Sequence, residues 1–217
     1  MNEFSQLLES LVDNYKKNKQ KVNIDLYKIP VGISGRHIHL SQEDLDTLFG
    51  KGYKLTPIKS LSQPGQFACK ECVTIAAKKG CIEKVRIIGP VRKQSQVEIL
   101  RSDAFKLGIK PVLRLSGDIK DTPGITVIGP EGTVVLKEGT IVAQRHIHFN
   151  NLQAKERGLK NGDIVSIKTR GERSALLENV SVRVGDNGYL DCHIDQEEAN
   201  ALGLGPKDFI EIIIQGV

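Results

Sequence analysis

The chain has 217 residues, a formal net charge of +5 and 26% charged residues, a composition that is ordinary for a folded globular protein. It contains no apolar run near the roughly 20 residues that a membrane-spanning helix needs, and its acidic first residues are unlike a secretory signal, so we expect a cytoplasmic protein with no membrane partner. The absence of Trp, the four Tyr and the dispersed basic residues argue against a nucleic-acid partner, whereas small phosphorylated ligands would suit the positive charge.

Residues 1–24 predict an amphipathic helix followed by a connector. Phe4, Leu7, Leu11 and Tyr15 recur at helical spacing, and the stretch ends in the basic "KKNKQ". The apolar stripe of this helix either packs on its own domain or binds a partner. We therefore interpret it as a docked cap or as a targeting segment.

Beyond residue 25 the sequence indicates a mainly β protein with short helices. Short runs rich in Val, Ile and Leu alternate with Gly, Pro, Asn and Asp, which is typical of strands joined by turns. The strand-like runs are "KVRIIGP", "QVEIL", "PVLRLSG", "ITVIGPEGTVVL", "DIVSIKT", "NVSVRV" and "DFIEIII". The helical runs are "SQEDLDTLFG", "SDAFKLG", "NNLQAKERG" and "DQEEANALG". Many short strands at close spacing predict antiparallel β-barrels.

The strand-rich part of the chain is a tandem duplication. "RHIH" occurs at residues 36–39 and again at residues 145–148, and residues 83–109 align with residues 178–204 without a gap. Such self-similarity predicts two structural repeats, each forming one antiparallel β-barrel domain. The predicted division is an N-terminal helix with its connector, a first barrel half and a second barrel half, over residues 1–24, 25–120 and 121–217.

The duplication assigns three matched positions to each half. In the alignment Glu98 falls opposite His193, the last of five histidines. Residues i and i+2 of a strand project from one face, roughly 7 Å apart, so the two imidazoles of a His-x-His can converge on one metal ion. Three protein ligands leave a coordination position open, which indicates a catalytic site. The two predicted metal triads are His37, His39 and Glu98, and His146, His148 and His193.

Arg92 precedes Glu98 by six residues, and this even spacing on an extended strand would put both side chains on one face. A fixed guanidinium beside a metal ion suits a phosphate or carboxylate group. The chain has no P-loop, Rossmann fingerprint or Ser-His-Asp arrangement. Phosphate would therefore be held by metal ions and by Arg92, not by a glycine-rich loop.

Four motifs, in this order and spacing, resemble the PduL-type phosphotransacylases, also called phosphate propanoyltransferases: "PVGISGRHIHLS", "GPVRKQSQVEI", "QRHIHF" and "CHIDQEEAN". The resemblance runs from about residue 28 to the end of the chain. It implies two β-barrel domains with two zinc ions between them. It also implies an acyltransferase that interconverts a short acyl-CoA (propanoyl-CoA or acetyl-CoA) plus phosphate with acyl-phosphate plus CoA, and we expect direct transfer without a covalent acyl-enzyme.

The same resemblance assigns roles to individual residues. It implies that the first triad holds the zinc ion facing the CoA sulfur, that the second triad holds the zinc ion near phosphate, and that Arg92 binds phosphate. Ser116 is a further expected active-site residue. The implied CoA contacts are Ile33, Ser34, Gly35, Lys79, Arg86 and Asn200. We also expect a homo-oligomer, and in some members of this family such an N-terminal helix carries the enzyme into a bacterial microcompartment.

Two other functions fit the ligand sets. A dinuclear metallohydrolase of thioesters or phosphate esters would use the same metal ligands, and phosphate dependence would distinguish it from a transferase. A zinc-stabilised interaction module recruited through the N-terminal helix would have closed metal sites and no turnover.

Overall fold

The computed structural model describes residues 28–214, except residues 187 and 207. The helix predicted within residues 1–24 lies outside this described part of the chain. None of the helices in the described ranges is long and apolar enough to cross a membrane.

The described chain is mainly β with short helices, as predicted. Its strands are β1 Lys28–Ser34, β2 His37–His39, β3 Pro57–Ser60, β4 Phe67–Ala77, β5 Gly80–Gly89, β6 Gln96–Ile99, β7 Leu113–Arg114, β8 Ile125–Ile128, β9 Thr133–Leu136, β10 Thr140–Ala143, β11 His146–Phe149, β12 Ile164–Lys168, β13 Leu176–Val184, β14 Asp191–Asp195 and β15 Phe209–Ile213. The four helical runs predicted from the sequence are confirmed as α1 Gln42–Phe49, α2 Arg101–Leu107, α3 Asn151–Glu156 and α4 Gln196–Leu202.

Each helix begins just after a short strand that carries predicted metal ligands. Polar N-cap residues start three of them: Ser41, Asn150 and Asp195 each accept a hydrogen bond from the backbone N–H three residues later. Each helix is short, with six to eight residues. Gly108 and Gly203 end α2 and α4 in the left-handed conformation that glycine adopts freely. These caps stop each ligand strand at a defined point.

The strands form two sheets. One is a closed six-stranded barrel in the order β1-β14-β11-β13-β12-β15. The other is an open nine-stranded sheet in the order β7-β10-β6-β2-β5-β4-β8-β9, with β3 paired to β4. Each sheet encloses its own apolar cluster, one around Ile38, Ile87 and Val97 and the other around Ile147 and Phe149.

The expectation of two antiparallel barrels is therefore wrong in two respects. Only one of the two sheets in the described chain closes, and both contain parallel pairs, for example β2 with β5 and β11 with β13. The reason is that the strands carrying the ligands are joined through helices and long connections. Such crossovers allow parallel neighbours, whereas the predicted barrel assumed hairpins throughout.

The duplicated unit is visible in the pairing of strands. In the open sheet β2 lies between parallel β5 and antiparallel β6, and His37 is opposite Glu98. In the barrel β11 lies between parallel β13 and antiparallel β14, and His146 is opposite His193. Both units thus place the third predicted ligand directly across from the first histidine of the His-x-His.

The two units exchange the strand that precedes each His-x-His. Strand β1, which leads into β2, pairs with β14 of the barrel and sets Gly32 opposite His193. Strand β10, which leads into β11, pairs with β6 of the open sheet and sets Ile141 opposite Glu98. Each sheet therefore contains strands from both halves of the sequence. The predicted domain boundaries at residues 24 and 120 stay predictions.

Because of this exchange, we expect both sheets to unfold in one transition. Ile29→Ala in β1 and Ile141→Ala in β10 each truncate a side chain with at most 1% exposure, which should lower the free energy of unfolding by about 2–5 kcal/mol. Urea unfolding followed by circular dichroism, with hydrogen exchange for each sheet, measures this. Val135→Ala, on the exposed β9, is the control and should change stability by less than about 0.5 kcal/mol. Loss of protection in one sheet alone would contradict the prediction.

Candidate active site

Both predicted triads line one cavity of about 440 Å³, whose walls come from both sheets. Within each triad the ligand atoms lie within 4.8 Å of one another. The first triad is buried throughout, whereas His148 and His193 of the second are partly exposed. The fold thus brings together all six predicted residues, and their role as metal ligands stays a prediction.

Backbone carbonyls set the ring orientation in the first triad. His37 Nδ1 donates to the carbonyl of Gly35 at 2.9 Å, and His39 Nδ1 donates to that of Ile88 at 3.0 Å. A carbonyl oxygen only accepts, so the proton of each neutral ring sits on Nδ1 and the Nε2 lone pair is free. His37 Nε2 lies 3.5 Å from Glu98 Oε2. The two imidazoles and the carboxylate therefore present one donor set.

The second triad follows the same rule at its first histidine. His146 Nδ1 donates to the carbonyl of Gln144 at 2.8 Å, which leaves its Nε2 lone pair facing His148 Nε2 at 3.1 Å. The ring centroids of the three histidines lie 4.8, 5.0 and 5.1 Å apart. Three imidazoles whose rings converge in this way fit a divalent transition metal ion.

At the second site a further carboxylate, that of Asp191, contacts His193. Asp191 Oδ2 accepts from His193 Nε2 at 3.0 Å, and the Asp191 side chain is buried. Gly32 on the adjacent β1 makes room for both groups, since a Cβ there would lie 2.5 Å from His193 Cδ2 and 2.7 Å from Asp191 Oδ2. Glycine at this position is thus required for the close approach of β1 to the second triad.

The electrostatics of the first triad are dominated by one buried pair. Burial opposes charge on both partners, but the attraction between His37 and Glu98 prevails, so the pKa of His37 is raised and that of Glu98 is lowered. The carboxylate is therefore anionic at neutral pH and available as a metal ligand.

Three other histidines favour the neutral form. Burial, followed by the charge of neighbouring groups, lowers the pKa of His39 and His148 to about 3. Burial also lowers the pKa of His146 to about 4, although its hydrogen bond to Gln144 acts in the opposite direction. Neutral imidazole is the form that binds a metal ion, so these rings need no deprotonation at neutral pH.

Arg92 and Ser116 lie beside the first triad in one hydrogen-bond network. Arg92 Nη1 donates to Ser116 Oγ at 3.0 Å, and Gln96 Nε2 donates both to Ser116 Oγ at 2.9 Å and to Glu98 Oε1 at 2.7 Å. The N–H of Gly117 in turn donates to Gln96 Oε1 at 2.7 Å. Gln96 thus links the predicted ligand Glu98 to the predicted phosphate-binding arginine.

Four residues of the site were missed by the sequence analysis: Gly32, Gln96, Arg183 and Asp191. Gln96 and Asp191 occupy matched positions two residues before the third ligand of each unit, so the two-residue period of a strand could have revealed them. Arg183, which pairs with His148 and lines the cavity, and Gly32 depend on contacts between strands that are distant in sequence. No local pattern marks either of them.

The predicted CoA contacts divide into two groups. Ile33, Ser34, Gly35 and Arg86 line the cavity, and Arg86 also donates to two backbone carbonyls of β4. The other two lie on the surface outside the cavity lining: Lys79 sits over the ring of Phe105, and Asn200 lies on α4. A role in CoA binding stays a prediction for all six.

Comparison with known proteins assigns the chain to a family. The sequence model described as phosphate propanoyltransferase matches residues 30–205. The chain belongs to the phosphate propanoyltransferase family. A phosphate propanoyltransferase of Thermotoga maritima is 52% identical over 186 residues, which are 85% of this chain and 89% of that protein. Those of Rhodopseudomonas palustris and Lachnoclostridium phytofermentans are 49% and 48% identical, over 87% and 96% of this chain and 84% and 97% of theirs.

Membership confirms the resemblance drawn from the four motifs. Phosphate propanoyltransferases are acyltransferases, so the chain is an enzyme of this class. Residues from all four motifs line the cavity described above, so the parts of the sequence that carried the resemblance meet in one place.

Gly32→Ala is expected to weaken metal binding at the second triad by about 10-fold to 100-fold, because the added methyl group displaces His193 or Asp191. Gly185→Ala is a matched control, since a Cβ there meets nothing within 4 Å. Equilibrium dialysis with zinc measures the number and affinity of bound ions. Equal affinity in the Gly32 variant and the wild type would contradict the role assigned to this glycine.

The metal-free enzyme is expected to lose stability as the pH falls from about 6.5 toward 4.5. In this window the unfolded chain protonates His39, His146 and His148, whereas the folded chain, with pKa values of about 3 to 4, does not, so protons favour unfolding. The raised pKa of His37 acts in the opposite direction, as one group against three.

Thermal unfolding of chelator-treated enzyme between about pH 7 and about pH 5 tests this dependence. The double variant His39→Asn/His148→Asn should show a flatter profile, because it lacks two of the groups. A midpoint temperature that rises on acidification would show that His37 outweighs the others and that the expectation is wrong.

Proposed function

We propose that the enzyme moves a short acyl group between CoA and inorganic phosphate at two zinc ions, by direct transfer. The observation that carries this proposal is the shared cavity: two unlike ligand triads and Arg92 line one space of about 440 Å³. An acyl-transfer site needs one region for the sulfur of the thioester and another for the oxygen nucleophile. The family assignment restricts the reaction class to phosphate acyltransfer.

The donor sets fit zinc. His37, His39 and Glu98 would hold one ion, and His146, His148 and His193 would hold the other. Backbone carbonyls orient the rings of His37, His39 and His146. When bound, zinc supplies Lewis-acid polarisation of a carbonyl group and a favourable partner for thiolate sulfur. Glu98 places a carboxylate among the ligands of the first triad, whereas the carboxylate at the second triad, that of Asp191, lies beside His193.

Two arginines support the assignment of the phosphate region. Arg92 is half-buried, and it lines the same cavity as Arg183. After burial, the positive charge of Arg92 helps to lower the pKa of His39, and that of Arg183 helps to lower the pKa of His148. Ser116 Oγ accepts from Arg92 and so directs one edge of the guanidinium, leaving other N–H groups for an anion. In the proposed reaction these groups hold phosphate in line with the acyl carbon.

A further part of the cavity lining supports binding of an acyl-CoA. Ser34 ends β1 and Gly35 follows it in the turn to β2, and Arg86 adds positive charge suited to the phosphate groups of CoA. Leu61, Ala68 and Ile88 supply apolar lining beside His39. This lining suits a small alkyl group, and acetyl and propanoyl chains both fit that description.

Direct transfer is supported by the state of the nucleophiles. Burial raises the pKa of Cys69 to about 11 and raises the pKa of Cys192 further, so neither thiol is an activated thiolate. Ser116 Oγ is hydrogen-bonded to Arg92 and Gln96, both donors, and has no histidine base. Because neither of these thiols is a thiolate and Ser116 has no histidine base, attack by bound phosphate itself is the simpler route.

The test is thiol release from propanoyl-CoA and acetyl-CoA, with and without inorganic phosphate, before and after chelation. We expect release that requires phosphate, is lost on chelation and returns with zinc. The ratio of the two rates identifies the preferred acyl chain. Release that is indifferent to phosphate would instead support the metallohydrolase, and acyl label trapped on the protein after a quench would exclude direct transfer.

Arg92→Ala should lower kcat/KM for phosphate by about 100-fold in the same assay, because it removes a positive charge aimed at the nucleophile. Lys93→Ala is the matched control, since Lys93 is an exposed neighbour outside the cavity lining. Equal losses in the two variants would show that Arg92 acts only through general surface charge.

A further inference from the structure

The start of α1 differs from the start of the other described helices. In α2, α3 and α4 the side chain three residues after the N-cap accepts directly from the N-cap backbone N–H, as in a capping box. These contacts run from Leu100 N to Asp103 at 3.1 Å, from Asn150 N to Gln153 at 3.1 Å and from Asp195 N to Glu198 at 3.3 Å.

In α1 a third residue is inserted into this contact. The N–H of the N-cap Ser41 donates to Ser95 Oγ at 2.8 Å, and Ser95 Oγ donates to Asp44 Oδ2. Ser41 Oγ donates to the same Asp44 oxygen at 2.8 Å. Asp44 therefore does not close the capping box of its own helix, but binds a hydroxyl from another segment.

This other segment comprises residues 92–95, beginning with Arg92 and ending with Ser95, and is called the Arg92 segment. Its first part is fixed on the chain just before α1, where the N–H of Arg92 donates to the carbonyl of Leu40 at 2.8 Å and Arg92 forms a parallel bridge with Ser41. Its last part is fixed by Ser95, which is only 5% exposed. Both ends of the Arg92 segment are thus attached to the start of one helix.

The second unit supplies an internal comparison. In the alignment of the two units, Ser95 falls opposite Leu190, which packs against the apolar core of the barrel. There Asn150 and Gln153 form an ordinary capping box. The inserted hydroxyl is therefore found in the unit that contains Arg92, and the helix of the other unit forms without it.

We propose that Asp44 and Ser95 are positioning residues for Arg92 in phosphate binding. This inference rests on the proposed function, in which the Arg92 guanidinium holds the nucleophile. Ser116 directs the end of the Arg92 side chain. Asp44 and Ser95 instead fix the position of the backbone of the Arg92 segment beside the cavity. A displacement of the segment by about 1 Å is enough to reduce turnover strongly, because the nucleophile and the acyl carbon must stay aligned.

The fold itself should tolerate loss of this contact. In Ser95→Ala, the Asp44 carboxylate can accept directly from the Ser41 N–H, as the corresponding side chains do in the other three helices. The helix keeps its cap, and the Arg92 segment loses its attachment through Ser95 while its attachment at Leu40 stays. The effect of the variant is thereby separated from general unfolding.

The test compares Ser95→Ala and Asp44→Ala with Gln153→Ala, which removes the corresponding capping side chain from α3. Zinc-loaded full-length enzymes are assayed for the KM of phosphate, the KM of acyl-CoA, kcat and zinc content. We expect the phosphate KM to rise about tenfold or more in the first two variants, with the acyl-CoA KM and zinc content unchanged. Gln153→Ala should match the wild type, and Ser95→Thr, which keeps the hydroxyl, should restore most of the phosphate affinity.

An unchanged phosphate KM in Ser95→Ala, or an equal rise of both KM values, would overturn the inference while leaving the proposed function intact. A wild-type enzyme whose thiol release ignores phosphate would overturn the proposed function and this inference with it. If Asp44→Ala does not fold, Ser95→Ala and Ser95→Thr still decide the question.

Discussion

The site depends above all on the register between short, paired strands. Backbone hydrogen bonds set His37 opposite Glu98 and His146 opposite His193, and a slip by one residue would turn these side chains to the opposite face of the sheet. Each third-ligand strand is held on both sides, by its own His-x-His strand and by the lead strand from the other unit. Backbone pairing therefore sets which side chains meet in each triad.

The backbone repeat is symmetric, but the chemistry that it supports is not. One triad contains a carboxylate and lies beside Arg92 and Gln96, while the other has only imidazoles, with Asp191 behind His193. Imidazole ligands leave the charge of a divalent ion unchanged, whereas a carboxylate ligand cancels half of it. In the proposed reaction, the phosphate dianion and the thioester would therefore meet metal ions with unlike ligand sets.

The sequence was sufficient for those features that repeat within it. The His-x-His pairs, the equivalence of Glu98 and His193 in the two halves, and the four short helices followed from the internal alignment and from local periodicity. The closure of one sheet, its parallel pairs and the exchange of lead strands did not, because strand order depends on contacts between segments more than 100 residues apart, such as Gly32 and His193. For the same reason the alignment could not reveal Arg183, or that Lys79 lies outside the cavity.

The reciprocal exchange of β1 and β10 also bears on the origin of the duplication. One half on its own would carry a strand that belongs in another sheet and would lack the strand that its own sheet needs. Two identical halves could satisfy both needs by swapping these strands, as in a two-fold symmetric dimer. The present chain is the covalent equivalent of such a dimer. Once the halves were joined in one polypeptide, their sequences could diverge from each other. A glutamate and a histidine could then occupy equivalent places.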